Sequence, residues 1–377
     1  MQRWFISLVG NERYLYWMTE KGGHFMREEL KTGNVEYIRP RIKNSLGDVV
    51  RSAILCIEDN RAFFVVNGGE KILILDLETD CVKEINIQCA NMHLDMFSFS
   101  KVIGDEIVLI PTFYHEILFI DINTGVVSRE NILKIESESI GFKQAYALNC
   151  YFDNNEVIFC STITQELITY SLTQKKVLKT RKLPSEIGDI VDFVISENRF
   201  FFLSSNGIVI EWTITDNRII FRTDDRVEGG YRVLHMVKDD LWLLPFFEED
   251  IYKVSLKDGS YEQYKDYPMD YRYTAPKTMG KFFKKYSVGE KTYFAMHSGN
   301  YMFFINDITG VSGFEKMVWP DLEQDLEELD YQKRKKFSEQ GVSLKFFLKY
   351  IVREGDDIEM RGRVNNGRTI WNSVKGM

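Results

Sequence analysis

One short pattern recurs along the chain and limits its possible folds more than any other feature. It has an acidic residue, Ser or Thr first, Leu or Ile second, and usually Gly, Asp or Asn last. The copies are ELKTG (29–33), DLETD (76–80), DINTG (121–125), SLTQK (171–175), TITDN (213–217), SLKDG (255–259) and a shifted one ending at Ile308-Thr309-Gly310. Measured between final residues, the spacings are 47, 45, 50, 42, 42 and 51. Small polar residues followed by Gly or Asn mark tight turns, and a fixed period of such turns marks a repeat architecture.

The residues before each turn define the repeat. An apolar run precedes six of the seven: 72–75, 117–120, 167–170, 208–212, 251–254 and 301–305; in the first copy this run is poor. A second run lies upstream in all seven: 14–18, 62–66, 107–110, 157–160, 200–203, 241–244 and 292–296. Polar turns introduce that second set, and further apolar stretches such as 52–57, 191–195 and 232–237 come before those turns. After several closing turns the pattern alternates, as in Val82-Lys83-Glu84-Ile85 and Tyr261-Glu262-Gln263-Tyr264. Continuous apolar runs imply strands covered on both faces, and alternation implies a half-exposed strand.

Four strands per repeat, apolar inside and alternating outermost, describe the blade of a β-propeller, and 40–50 residues is a propeller period. The expected fold is all-β: a seven-bladed propeller, with six blades as the alternative, followed by a small C-terminal α-helical appendix. The propeller is expected over 1–318 and the appendix over 319–377, packing on the propeller or on a partner. No strand borrowed from the other terminus is evident for ring closure. In the appendix, residues 321–337 (DLEQDLEELDYQKRKKF) carry apolar positions at near-helical spacing behind the N-cap candidate Asp321. A second helix is expected over 343–352, with Leu344, Phe347, Leu348 and Ile351 on one face.

Composition excludes several classes. An aromatic fraction of 14% (27 Phe, 19 Tyr, 6 Trp) favours strands. A net charge of −8 argues against nucleic-acid binding, which needs clustered Lys and Arg. No run approaches the ~20 apolar residues of a membrane span, and the short N-terminal run is no signal peptide. Five cysteines without CxxC spacing read as reduced thiols in a cytoplasmic protein.

Chemical motifs are absent. The five histidines (His24, His93, His115, His235, His297) show no metal-motif spacing, and GxSxG, P-loop, GxGxxG and HExxH strings do not occur. No cofactor and no metal is expected, and the enzyme reading leans negative. Acids such as Glu248-Glu249-Asp250 read as solvated turns. A glycosidase pair, or a lyase or hydrolase with acids in the central channel, would be defined only in space.

Blade topology indicates where a ligand would bind. The loops between second and third strands open on the same face as the blade-to-blade connections. Long members of that set carry Phe113, Tyr114 and His115; Phe246, Phe247 and Glu248; and Tyr267, Met269, Tyr271, Arg272 and Tyr273. Aromatics among acids and an Arg suit a peptide or glycan surface; the plain alternative is packing between blades. Likewise Leu344, Phe347 and Ile351 either cover a propeller edge or dock a partner as a helix in a groove. The expected activity is non-enzymatic: a scaffold or accessory subunit engaging a protein or peptide. A carbohydrate-binding or carbohydrate-processing propeller is the alternative.

The turns DINTG, DLETD and SLKDG resemble those of quinoprotein-like and related β-propeller repeats, a resemblance covering residues 4–318 and implying architecture only. The Trp-Asp of WD40 blades and the paired glycines of kelch blades are absent. So are the tryptophan docking motifs of the quinoprotein enzymes, and their cofactor is not carried over. The C-terminal pattern SLKFFLKYI…NNGRTIW resembles tails of uncharacterised proteins of Gram-positive bacteria, which implies a link to sugar or cell-surface biosynthesis.

Overall fold

The computed structural model describes residues 5–19, 25–39, 52–66, 69–89, 97–134, 144–153, 155–197, 199–205, 207–213, 217–222, 230–246, 250–271, 282–296 and 301–317. They form seven four-stranded antiparallel sheets, each a meander in chain order. Blade 1 comprises β1 (Phe5–Gly10), β2 (Tyr14–Thr19), β3 (Phe25–Glu29) and β4 (Val35–Arg39). Blade 2 comprises β5 (Ser52–Glu58), β6 (Arg61–Val66), β7 (Lys71–Asp76) and β8 (Val82–Asn86). Blade 3 comprises β9 (Phe97–Ile103), β10 (Glu106–Pro111), β11 (Ile117–Asp121) and β12 (Val127–Glu130). Blade 4 comprises β13 (Tyr146–Asp153), β14 (Glu156–Ser161), β15 (Glu166–Ser171) and β16 (Lys176–Lys182). Blade 5 comprises β17 (Ile190–Ser196), β18 (Arg199–Ser204), β19 (Ile208–Trp212) and β20 (Asn217–Arg222). Blade 6 comprises β21 (Tyr231–Val237), β22 (Asp240–Pro245), β23 (Tyr252–Ser255) and β24 (Tyr261–Gln263). Blade 7 comprises β25 (Phe282–Val288), β26 (Lys291–Met296), β27 (Tyr301–Asn306) and β28 (Ser312–Lys316).

The protein is therefore a seven-bladed β-propeller, as the turn count predicts, and the six-bladed alternative falls. The expected helical appendix, with Leu344, Phe347 and Ile351, lies outside the described residues.

The recurrent pattern is the turn between third and fourth strands, and each of its positions has a structural duty. The first residue accepts from the backbone: Asp76 Oδ1 takes the N–H groups of Glu78 and Thr79, and Asp121 Oδ1 those of Asn123 and Thr124. Ser171 and Ser255 do the same with hydroxyls. The second residue's N–H reaches the carbonyl of the neighbouring hairpin turn: Leu77 to Asn60, Ile122 to Asp105, Leu172 to Asn155, Leu256 to Asp239. In six of the seven copies the fifth residue adopts positive φ, from 48° at Lys175 to 81° at Gly310, where Gly has no Cβ penalty; in blade 5 the fifth residue, Asn217, is instead the first of β20, opposite Trp212. The turn needs an acceptor first and a left-handed residue last, so Asp/Ser and Gly/Asp recur there.

Blade-to-blade packing makes the core. Inner and middle strands bury clusters such as Phe63, Val65, Ile72 and Ile107, Leu109, Leu118 between blades 2 and 3. A second cluster places Phe193, Phe202 and Trp212 of blade 5 on Cys160 and Leu167 of blade 4. In all seven blades the pairing of first and second strands shifts register, leaving bulged residues on the first strand. A bulge sharpens the local twist, which each innermost strand needs as it lines up beside its neighbours. Ring closure sets β25 against β1: the Tyr286 hydroxyl donates to the Gly10 carbonyl at 2.9 Å.

Candidate functional site

The two ends of the ring differ in construction. One end carries only the tight hairpin and closing turns, tied together by the backbone bonds above. The other carries the second-to-third-strand loops and the blade-to-blade connections, which vary in length and chemistry, and the described residues among those singled out from sequence belong there. Phe247, Glu248, Arg272 and Tyr273 lie outside the described residues. Phe113, Tyr114, His115, Phe246, Tyr267 and Tyr271 are placed as follows.

The loop after β10 is short and internally tied. Thr112 O accepts from the N–H groups of Ala145 and Tyr146, and the Tyr146 hydroxyl donates to His115 O at 2.8 Å, so blade 4 holds the loop from behind. Phe113 and Tyr114 are half-buried; His115 is buried. The Tyr114 hydroxyl donates to Glu116, and Arg129 of β12 donates to Tyr114 Oη at 3.1 Å and Glu116 Oε2 at 3.3 Å. The same guanidinium reaches the Ile87 carbonyl and the Cys89 Sγ, on the strand-to-blade connection leaving blade 2. Arg129 thus joins the exit of blade 2 to the loop of blade 3.

Burial sets the chemistry of this group. It raises the Tyr114 hydroxyl, helped by Glu116, and raises the Cys89 thiol against the pull of Arg129. Burial also lowers His115, with Glu116 opposing. The imidazole is therefore neutral near pH 7, and its Nδ1 is a buried polar atom without a hydrogen-bond partner.

The connection after β24 supplies the second part. Tyr264, Tyr267 and Tyr271 form an aromatic group with Phe314 of β28. Ring centroids lie 5.5 Å apart for Tyr264–Tyr267, 5.2 Å for Tyr267–Tyr271 and 4.9 Å for Tyr271–Phe314. Tyr267 and Tyr271 thus pack against the interface of blades 6 and 7 and remain half-buried. Between them, Met269 is fully exposed beside Asp270. Asp270 accepts from the Tyr301 hydroxyl and from Lys316 Nζ, at 2.8 Å for the latter, anchoring the connection to blade 7. Phe246 follows β22 and has the Arg232 guanidinium 4.6 Å above its ring.

A third group went unnoticed in the sequence. In blade 7 the closing turn is Asn306–Gly310, with Asn306 Oδ1 as its acceptor, so Asp307 occupies the Leu/Ile position. Its carboxylate meets His235 Nε2 at 2.7 Å and the Thr292 hydroxyl at 2.7 Å. Asp192, buried on β17, accepts from the N–H groups of Phe193 and Leu234, and Lys285 of β25 donates to Leu234 O. Burial pushes Asp192 up to about 6 against Lys285, and lowers Lys285 and His235. Inner strands of blades 5, 6 and 7 are joined by this group. The signal was available: an acid where the other closing turns place Leu or Ile, and an Asp inside the apolar run 190–195.

Among the described residues no three His, Cys, Asp or Glu side chains gather as metal ligands. All five cysteines are free. No helix among these residues is long and apolar enough to cross a membrane.

No protein-family model matches the chain, and no curated protein matches its sequence. Its backbone is similar to solved structures. The β-propeller domain of Cps50 (Swd1) from Myceliophteria thermophila superposes with a TM-score of 0.52 at 10% identity, covering 84% of this chain and 98% of that one. Hsv2 of Kluyveromyces lactis gives 0.50 at 10% identity, over 83% and 98%. BamB from Moraxella catarrhalis gives 0.48 at 10%, over 80% and 82%. At these identities the likeness is one of fold.

Proposed function

We propose that the protein is a non-catalytic scaffold that binds a protein or peptide partner on the face carrying the loop after β10 and the connection after β24. The observation that supports this is the contrast between the two ends of the ring. The turn end is closed by short turns whose backbone groups satisfy one another. The loop end presents half-buried aromatics: Tyr114, held by Glu116 and Arg129, with Phe113 next to it in the chain, and Tyr267 and Tyr271 on either side of the exposed Met269. Rigid aromatic area with a polar surround suits a protein interface, because it costs little conformational entropy to order. Fold alone does not choose a ligand; the argument rests on this face.

Affinity capture followed by cross-linking mass spectrometry tests the reading, comparing wild type with Phe113→Ala/Met269→Ser. Cross-links from one partner that map to the loop end and are lost in the variant are expected. Capture unchanged by the variant, or turnover of a substrate by the purified chain alone, overturns it. A glycan bound in solution and lost with Phe113→Ala would replace the partner with a carbohydrate.

A further inference from the structure

The outer rim of blade 4 differs from the other six rims. β16 is the last strand of its sheet, so among the described residues no strand lies beyond one row of its backbone N–H and C=O groups. It is seven residues long, against three to six for the other outermost strands. Its side chains are exposed except for the half-buried Arg181. Lys175, Lys176, Lys179, Arg181 and Lys182 fall within eight residues, with no acid from 167 to 185, in a chain of net charge −8.

Most basic residues on other rims are already engaged, the exposed Arg222 at the end of β20 being an exception. Lys83 donates to the Ile122 and Asn123 carbonyls, Arg129 to Glu116, Arg218 to Glu211 and Lys316 to Asp270. On blade 4, Lys175 pairs with Glu106 and Lys182 donates to the Thr164 carbonyl. Lys176, Lys179 and Arg181 form no ion pair among the described residues. Beside them Val177 and Leu178 stay 39% and 41% exposed. We infer that this rim is a docking edge for an extended acidic segment of another protein, added as a fifth strand beside β16.

Charge selects the occupant. A lysine-bearing edge repels a second copy of itself, which is how edge strands avoid self-pairing. A strand with acids at alternate positions removes that repulsion, pairs with Lys179 and Arg181, and satisfies the open backbone row. Register shifts at Leu178, which leaves 179–182 as the regular stretch along which a ladder can form. This edge lies on the circumference, apart from the loop end, so the inference stands independently of the reading above.

The test uses the full chain and a fluorescein-labelled peptide alternating glutamate and valine, followed by fluorescence anisotropy at low ionic strength. One control peptide has lysine for glutamate; another has proline at alternate positions, which removes ladder donors. Binding of the glutamate peptide alone is expected. It should weaken about tenfold or more in Lys179→Glu/Arg181→Glu, the sum of exposed pairs each turned from attraction to repulsion. Amides of 176–182 should gain protection from hydrogen exchange. No binding, equal binding of the proline peptide, or indifference to the charge reversal overturns the inference. So does tighter binding of phosphatidylserine vesicles or a DNA duplex through the same residues.

Discussion

Ring closure predicts a large effect from one added methyl. A Cβ built on Gly10 would lie 2.5 Å from Val288 Cγ2, 3.0 Å from Tyr14 O and 3.3 Å from the Tyr286 ring. Val288 is a stiff, buried β-branched side chain and Tyr14 O is backbone, so neither yields easily. Overpacking of this kind costs ~1–3 kcal/mol. Displacing the Tyr286 hydroxyl from the Gly10 carbonyl adds ~1 kcal/mol, and the entropy Ala saves over Gly returns ~0.5–1 kcal/mol. Gly10→Ala should therefore destabilise the propeller by about 1–3 kcal/mol. Equilibrium urea unfolding measures it against wild type; Gly33→Ala serves as a contrast, since its Cβ meets nothing within 4 Å and its cost comes from the backbone φ of 70° alone. In a Val288→Ala background the 2.5 Å contact is gone while those to Tyr14 O and the Tyr286 ring remain, so Gly10→Ala should cost measurably less than in wild type. The reasoning fails if Gly10→Ala matches wild type, or costs the same with and without the Val288 methyls, because the close contact then does not set the closure.

The buried group of blades 5–7 gives two pH predictions of opposite sign. With Asp192 held up at about 6, the folded chain keeps a proton that the unfolded chain releases near pH ~4. This group's contribution to stability is then lost as pH rises between those values, by up to ~1.4 kcal/mol per pH unit. Asp192→Asn should remove that slope, and an unaltered slope by urea unfolding would refute the assignment. His235 is lowered by burial, so the unfolded chain takes up its proton first, and stability is lost as pH falls below ~6.5. Asp307→Leu should cost about 1–3 kcal/mol by stranding His235, since Thr292 keeps its bond to Ser287, with most of it recovered in His235→Phe/Asp307→Leu; no recovery would show that the pair is not the reason.

The fold was legible because its repeat has hard local requirements. An acceptor first and a left-handed residue last leave a mark at most closing turns, and the runs 62–66, 72–75, 107–110 and 117–120 sit inside β6, β7, β10 and β11. Blade 7 read as a shifted copy because Asp307 replaces the expected apolar residue; Asn306 is the true acceptor. The weak run of blade 1 is β3, FMREE, buried only at its first two residues. What could not be read depends on contacts far apart in sequence. Neither the Arg129 group nor the bond from Tyr286 to Gly10 has a local signature, and bulges leave none either. Of the residues proposed for the loop face, the Tyr-rich connection was legible as aromatic, but its packing on Phe314 depends on where blade 7 falls.

In a repeat protein the departures from the common pattern carry information that the pattern cannot. Each blade buries much the same kind of residue against its neighbours, so the shared positions answer to packing and turn geometry. Selection for stability alone would keep Leu or Ile at 307, a short neutral strand at 176–182 and a brief link after β24. Instead the chain has a carboxylate that meets His235 and Thr292, a basic edge on which Lys176, Lys179 and Arg181 form no ion pair among the described residues, and an aromatic connection that carries the exposed Met269. The first is fully compensated within the fold, by two hydrogen bonds. The other two are not: among the described residues the ammonium groups of Lys176 and Lys179 form no ion pair, and the side chain of Met269 is fully exposed. The proposed partners would supply the missing interactions at those two departures, the rim of blade 4 and the loop end.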